Sequence, residues 1–482
     1  MKLFATLSRW LDRTAFPQVT DADAEAGKVA CLRVVTGLIL CWRCALMLRD
    51  SLHYFDPTPW MGRDLPLQGI AAAAQLGLAA GLTLGVRPAF CALALMATHS
   101  TYSIWTGTYN LSPMLLVPML GAFAALETGR RSLWARPSAP PERAVYRTVH
   151  FGLFLCYAGL SLQACLYHLR DDYWLHGHTP AVLLTNSYLS EFYPVFRELE
   201  RAAPGLYRWS SAAVVLLQSV FQLAMVPLLA SRIGTRFTAV WGWIFIVISL
   251  VDLQLSILPL VEVVLWAMIF VPARWFTRIP SHGRASGATL PQPLWRKAWQ
   301  VLFSAGFGLM LLSYFGNALS GFFTGHRLPA RYESTVLFYA GLVAPNVFNR
   351  EDLTMGDRWV VIERLDEPFA GVIPFNGSEG ERLAYHRSDL LYFGNSLPWR
   401  RAMIDVPDLE AYHQPGGGGH AYARLVAQYD YRRTGSVGPG LYRFTLYRNQ
   451  AANHALGSDP IRYRPEVVLT FLLPVGQAGK SP

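Results

Sequence analysis

The densest cluster of side chains able to do chemistry lies in the segment LYHLRDDYWLHGHTP. There His168, Asp172 and His176 recur every four residues, a spacing that on one continuous helix puts all three on a single face. Imidazoles and a carboxylate so placed can ligate a metal ion or pass a proton. Gly177 argues against a helix that runs on through His176, and no second histidine cluster completes a metal box of the membrane-oxygenase type. A polar helix end facing a water-filled cavity is therefore preferred to a metal site.

A second constellation is Cys41-Trp42-Arg43-Cys44, the spacing of a redox-active pair, with an arginine placed to favour a thiolate. The remaining cysteines, Cys31, Cys91, Cys156 and Cys165, also fall in apolar stretches, where cysteine packs as a small hydrophobe. Packing is the preferred reading for the pair as well. A P-loop, a dinucleotide glycine fingerprint and a nucleophile elbow are all missing from the sequence.

Other candidates are ionisable groups inside apolar stretches: Arg33, Arg43, Asp252, Glu262, His99 and His150, beside His168. At the centre of a membrane helix such a group costs ~2.5–3.5 kcal/mol or more, so each needs a partner or a purpose. Arg43 and His150 stand close enough to the ends of their stretches to reach an interface. Arg33 and Asp252 lie deeper, where either an ion pair between helices or a site for an anion is expected.

The elements that must position these groups follow from composition. Of 482 residues, 52% are hydrophobic and 15% charged, with a mean hydropathy of +0.24. Soluble globular chains carry about 25% charged residues, so a cytosolic enzyme is disfavoured. Six cysteines are too few for a disulfide scaffold. Nine apolar stretches approach the length needed to cross a hydrocarbon core: 29–48, 66–86, 88–106, 111–127, 149–169, 210–230, 237–257, 259–273 and 298–319. The eighth is short, and Pro259 allows it to follow the seventh through a tight turn, so eight or nine spans are expected. Asp12, Asp21, Asp23 and Glu25 precede the first apolar run, which is unlike a cleavable signal peptide. No matched pair of Gly- or Pro-broken spans suggests a transporter built from inverted repeats.

Charge sets the expected orientation. Residues 1–326 carry a net charge of +9 and residues 327–482 a net charge of +1. With the N-terminus inside, the inner segments hold 17 Lys and Arg and the outer loops six. That places the N-terminus in the cytoplasm and the C-terminal region outside, in the periplasm for a bacterial inner membrane. Because the basic excess belongs to the membrane part, a nucleic-acid partner is not expected. From Arg327 onward the pattern changes to short β-branched and aromatic runs such as RWVVIERL, LYRFTLYRN and PEVVLTFLLPV, separated by turn clusters. The expected fold is an all-α polytopic membrane bundle followed by a mainly β extramembrane domain. Its parts are an N-terminal segment 1–28, a transmembrane domain 29–320 and a C-terminal domain 327–482.

The segment YAGLSLQACLYHLRDDYWLHGHTPAVLL also resembles a family pattern, (aromatic)-x-Ala-Gly followed after about ten residues by Trp-x-x-Gly, through Tyr157, Ala158, Gly159, Trp174 and Gly177, here with the aromatic directly before the alanine and a longer spacing to Trp174. The pattern is that of the HTTM-domain family, whose membrane domain is shared by vitamin K-dependent gamma-glutamyl carboxylases. Arg33 and Gly37 look like the family's first-span Arg-x-x-x-Gly, and TGTYNLSPMLLVPMLGAF like its fourth span. The likeness covers roughly residues 28–320. PNVFN followed by a Trp-led strand, and the paired Arg400 and Arg401, echo the region that follows the membrane domain in bacterial members. In the carboxylases a lysine a few residues before the tryptophan is the proposed base. Here Leu166-Tyr167-His168-Leu169 contains none, and Tyr109 and Asn110 stand where the family has a histidine. Gamma-carboxylation itself is therefore not expected.

The resemblance implies an outward-facing intramembrane pocket for a quinone or vitamin K-like cofactor. In an enzyme, His168 and Asp172 would be catalytic, and Arg33, Tyr109, Asn110, Trp174, His176 and His178 would bind the cofactor or substrate. The competing reading is a non-catalytic maturation or export partner for a secreted peptide or protein. A weaker third is a disulfide oxidoreductase built on Cys41 and Cys44.

Overall fold

The computed structural model describes residues 10–53, 65–106, 111–130, 132, 138–185, 189–253, 255, 257–276, 291–329, 331–337, 339–342, 358–367, 370–372, 377–378, 381, 440–449 and 465–475. The described chain is mostly helical. Long helices occupy each of the nine apolar stretches: α1 (Ala22–His53), α2 (Leu65–Leu84), α3 (Pro88–Thr106), α4 (Leu111–Leu126) and α5 (Arg143–His168). Three short helices follow, α6 (Asp172–Leu175), α7 (Thr179–Thr185) and α8 (Tyr193–Ala202). The helical part closes with α9 (Pro204–Leu228), α10 (Arg232–Val251), α11 (Leu258–Phe270) and α12 (Leu294–Phe323).

Local chemistry sets the helix ends. The Asp21 carboxylate accepts the amide of Asp23 at 2.8 Å at the start of α1, and Ser231 accepts the amide of Gly234 at 2.9 Å at the start of α10. Pro259 sits in the first turn of α11, where its missing N–H costs nothing.

Among the described residues five helices are long and apolar enough to cross a membrane: α1 over Ala22–Leu48, α5, α9, α10 and α12. Three shorter apolar helices, Gly69–Leu84, Met114–Leu126 and Leu258–Phe270, accompany them. Burial separates their roles. The apolar window of α5 is 78% buried, whereas those of α9, α10 and α12 are 28%, 33% and 28% buried. Thus α5 is the central post, and the other three carry outward rows of Leu, Ile and Val that suit a lipid environment. Exposed tryptophans mark both ends of the bundle, Trp209 at the end carrying His168 and Trp10, Trp275 and Trp295 at the opposite end.

Residues 10–21, before α1, pack against α5. Leu11 and Phe16 are buried, Phe16 meets Phe151 edge-on at 5.3 Å, and Asp12 pairs with Arg147 of α5. Close helix contact needs glycine at Gly242, where a Cβ would overlap the indole of Trp266 on α11.

The C-terminal region contributes a small antiparallel sheet with strand order β2-β1-β3-β4, where β1 is Arg358–Arg364, β2 Gly371–Val372, β3 Gly440–Asn449 and β4 Pro465–Val475. The three runs read as strands from sequence are β1, β3 and β4. Tyr442, Phe444 and Leu446 alternate inward along β3, as a half-buried strand requires. Asp366 ties β1 to β3, accepting Arg364 Nε at 2.9 Å and the Leu441 amide at 2.7 Å. Arg400 and Arg401 lie outside the described residues.

Candidate functional site

Helix α5 ends at His168, and the chain then turns before α6 begins. Asp171 caps α6, its carboxylate accepting the amides of Tyr173 at 3.0 Å and Trp174 at 3.2 Å. The separate cap starts a new helix after His168, so His168, Asp172 and His176 do not lie on one continuous helix. His168 is buried and stacks on Trp174 with ring centroids 3.8 Å apart and 13° from parallel. Asp172 and His176 are exposed, with His176 Nδ1 2.7 Å from the Asp172 carbonyl oxygen. His178 is half-buried and stacks on His176 at 6.2 Å. Burial, then His176 and Arg208, hold the His178 imidazole below its usual value of 6.5. Among the described residues no group of three or more His, Cys, Asp or Glu is arranged to hold a metal ion.

The stacked pair of His168 and Trp174 covers one end of a cavity of about 260 Å³. Its walls are successive helix faces. Tyr157, Ser161, Ala164 and His168 come from α5, and Tyr207, Ser211, Val214, Gln218 and Gln222 from α9. Trp241, Ile244 and Ile248 come from α10, and Leu258 and Glu262 from α11. The 3- and 4-residue steps along each helix produce this lining, which is apolar apart from a few fixed groups. Val214, Ile244 and Ile248 have exposed side chains, so the cavity opens sideways between α9 and α10.

Helix α7 forms the rest of the roof and is tied to α9. Ser211 donates to the Gly177 carbonyl at 2.6 Å and accepts the Ala181 amide at 3.1 Å, while Tyr207 donates to the Ala181 carbonyl at 3.0 Å. Gly177 sits at φ +73°, and a Cβ there would come within 2.7 Å of Ala212 Cα. Asp252 anchors the neighbouring loop, accepting Ser190 Oγ at 2.7 Å and the Phe192 amide at 2.9 Å.

At the other end of the cavity Tyr157 donates to Glu262 Oε1 at 3.0 Å. Glu262 is 2% exposed, and its Oε2 has no hydrogen-bond partner among the described residues. Sequence reasoning flagged Glu262 only as an ionisable group in a span and Tyr157 only as a motif aromatic. Their pairing joins α5 to α11 across the fold.

Other candidates lie elsewhere. Arg33 is fully buried away from the cavity; its Nε stands 2.9 Å from Glu127 Oε2 and its Nη1 donates to the Leu82 carbonyl at 2.6 Å. It is an ion-paired link among α1, α2 and the end of α4, and it does not line the cavity. Arg43, expected to reach an interface, is buried with Nη1 3.0 Å from His99 Nε2, because the bundle folds α3 over that face of α1. His150, expected to do the same, is also buried. The Cys41 and Cys44 thiols meet different neighbours, Thr83 Oγ1 at 3.8 Å and Gln75 Oε1 at 3.9 Å, and both are free. Tyr109 and Asn110 lie outside the described residues.

No family model, curated protein or solved structure matches the chain.

Proposed function

We propose that the chain is an integral membrane protein whose intramembrane cavity binds one lipid-like molecule, drawn sideways from the bilayer between α9 and α10. The observation that carries this reading is the cavity itself: about 260 Å³, walled by apolar helix faces, roofed by His168 and Trp174, and opening among exposed apolar side chains. In this reading the eight or nine apolar stretches are all spans, the N-terminus is cytoplasmic in a bacterial inner membrane, and the sheet stands outside. The 17-to-six distribution of basic residues supports that orientation.

The protein is proposed to be of HTTM type, with a quinone or vitamin K-like molecule as the cavity's occupant. Two residues of the motif behind that resemblance, Tyr157 and Trp174, line the cavity. His168 is the group from the expected catalytic pair that is placed to meet the occupant; Asp172 is exposed outside the lining. An exported peptide or protein is the partner that the outer sheet would meet.

Solvent extraction of the purified protein, followed by mass spectrometry of small molecules, tests the reading. An isoprenoid or quinone recovered from wild type and lost from His168→Ala is the expected result. Its absence from well-folded wild-type protein would contradict the reading.

A further inference from the structure

The cavity end opposite His168 and Trp174 carries a carboxyl group. Glu262 lines the cavity and is almost fully buried; one carboxyl oxygen accepts from Tyr157 at 3.0 Å, and the other has no hydrogen-bond partner among the described residues. Leaving a buried carboxyl oxygen unpaired costs about 1–3 kcal/mol or more, so the site gains from a ligand that bonds it. Among the described residues the lining contains no Lys or Arg. A phosphate or carboxylate head would therefore face a carboxyl group in an apolar wall with no cation to balance it. A hydroxyl satisfies the site, since it can donate to or accept from a carboxyl group.

We infer that Glu262, braced by Tyr157, is the head-group receptor of the cavity, and that its ligand is an uncharged amphiphile that binds hydroxyl-first with its tail toward the opening between α9 and α10. This inference rests on the cavity being a ligand site. It adds the class of ligand and a binding residue. The tail then lies along Val214, Ile244 and Ile248.

The test uses three probes matched in their tails: 4-(6-bromohexyl)phenol, (6-bromohexyl)benzene and 6-bromohexyl phosphate. Bromine quenches nearby tryptophan, and Trp241 and Trp174 border the cavity. Full-length protein in lipid nanodiscs is titrated with each probe at equal membrane mole fraction. The phenol is expected to bind about tenfold more tightly than the benzene, as one hydrogen bond would give, and the phosphate more weakly than either. In Tyr157→Phe/Glu262→Leu, which removes both partners together, phenol and benzene should bind alike. Equal wild-type affinities for phenol and benzene, a phenol preference that survives in the double variant, or tightest binding of the phosphate would overturn the role of Glu262 while leaving the cavity a ligand site. Binding of no probe to wild type would overturn both.

Discussion

The rings of His168 and Trp174 stack 3.8 Å apart at the end of α5, joining two residues from opposite sides of a turn into one cover over the cavity. Asp172, between them in sequence, is exposed and outside the lining. The two residues expected from sequence to share catalysis should therefore separate on mutation. His168→Ala should lose the copurifying molecule, and Asp172→Ala should retain it at wild-type stoichiometry. Mass spectrometry of extracts from both variants checks this; equal loss in both would show that Asp172 reaches the occupant.

Gly177 holds the roof in place through its backbone. Its φ of +73° and the nearness of Ala212 leave no room for a side chain. Gly177→Ala should lower the stability of the detergent-solubilised protein by about 1–3 kcal/mol, measured as a fall in Tm. An unchanged Tm would mean that the turn between α6 and α7 relaxes freely.

The apolar stretches were legible as helices because long apolar runs without turn residues favour helical packing, and β1, β3 and β4 were legible because alternation and turn residues bound them. The pairings were not legible. Glu127 lies at the end of α4, far along the chain from Arg33, and nothing in the local sequence of either names the other. The same holds for Tyr157 and Glu262, and for Arg43 and His99. Within the spacing of His168, Asp172 and His176, Asp171 starts a new helix, a break that Gly177 hinted at but whose position only the cap reveals.

The Arg33–Glu127 contact is a buried ion pair, with both side chains at most 1% exposed. Removing one partner strands the other charge, so Arg33→Leu should cost about 3–5 kcal/mol. Arg33→Leu/Glu127→Leu should recover much of that loss. A double-mutant cycle on thermal unfolding measures the coupling, and strictly additive losses would contradict the pairing.

His178 gives the roof a dependence on pH. Its folded-state affinity for protons is reduced by burial and by His176 and Arg208, so the unfolded chain binds the proton more readily. The contribution of neutral His178 is complete above its usual value of 6.5 and is lost as pH falls below that value. Tm should decline on acidification from pH 7.5 to 5.5, and the decline should be smaller in His178→Gln. Identical profiles would contradict this role.

The most direct measurement is native mass spectrometry of wild type beside Ala164→Trp. Ala164 is 5% exposed and lines the cavity, so the indole would occupy the space intended for a ligand. Wild type should carry one small-molecule adduct per chain and the filled variant none, with helix content unchanged. An adduct retained in folded Ala164→Trp would place the bound molecule somewhere other than this cavity.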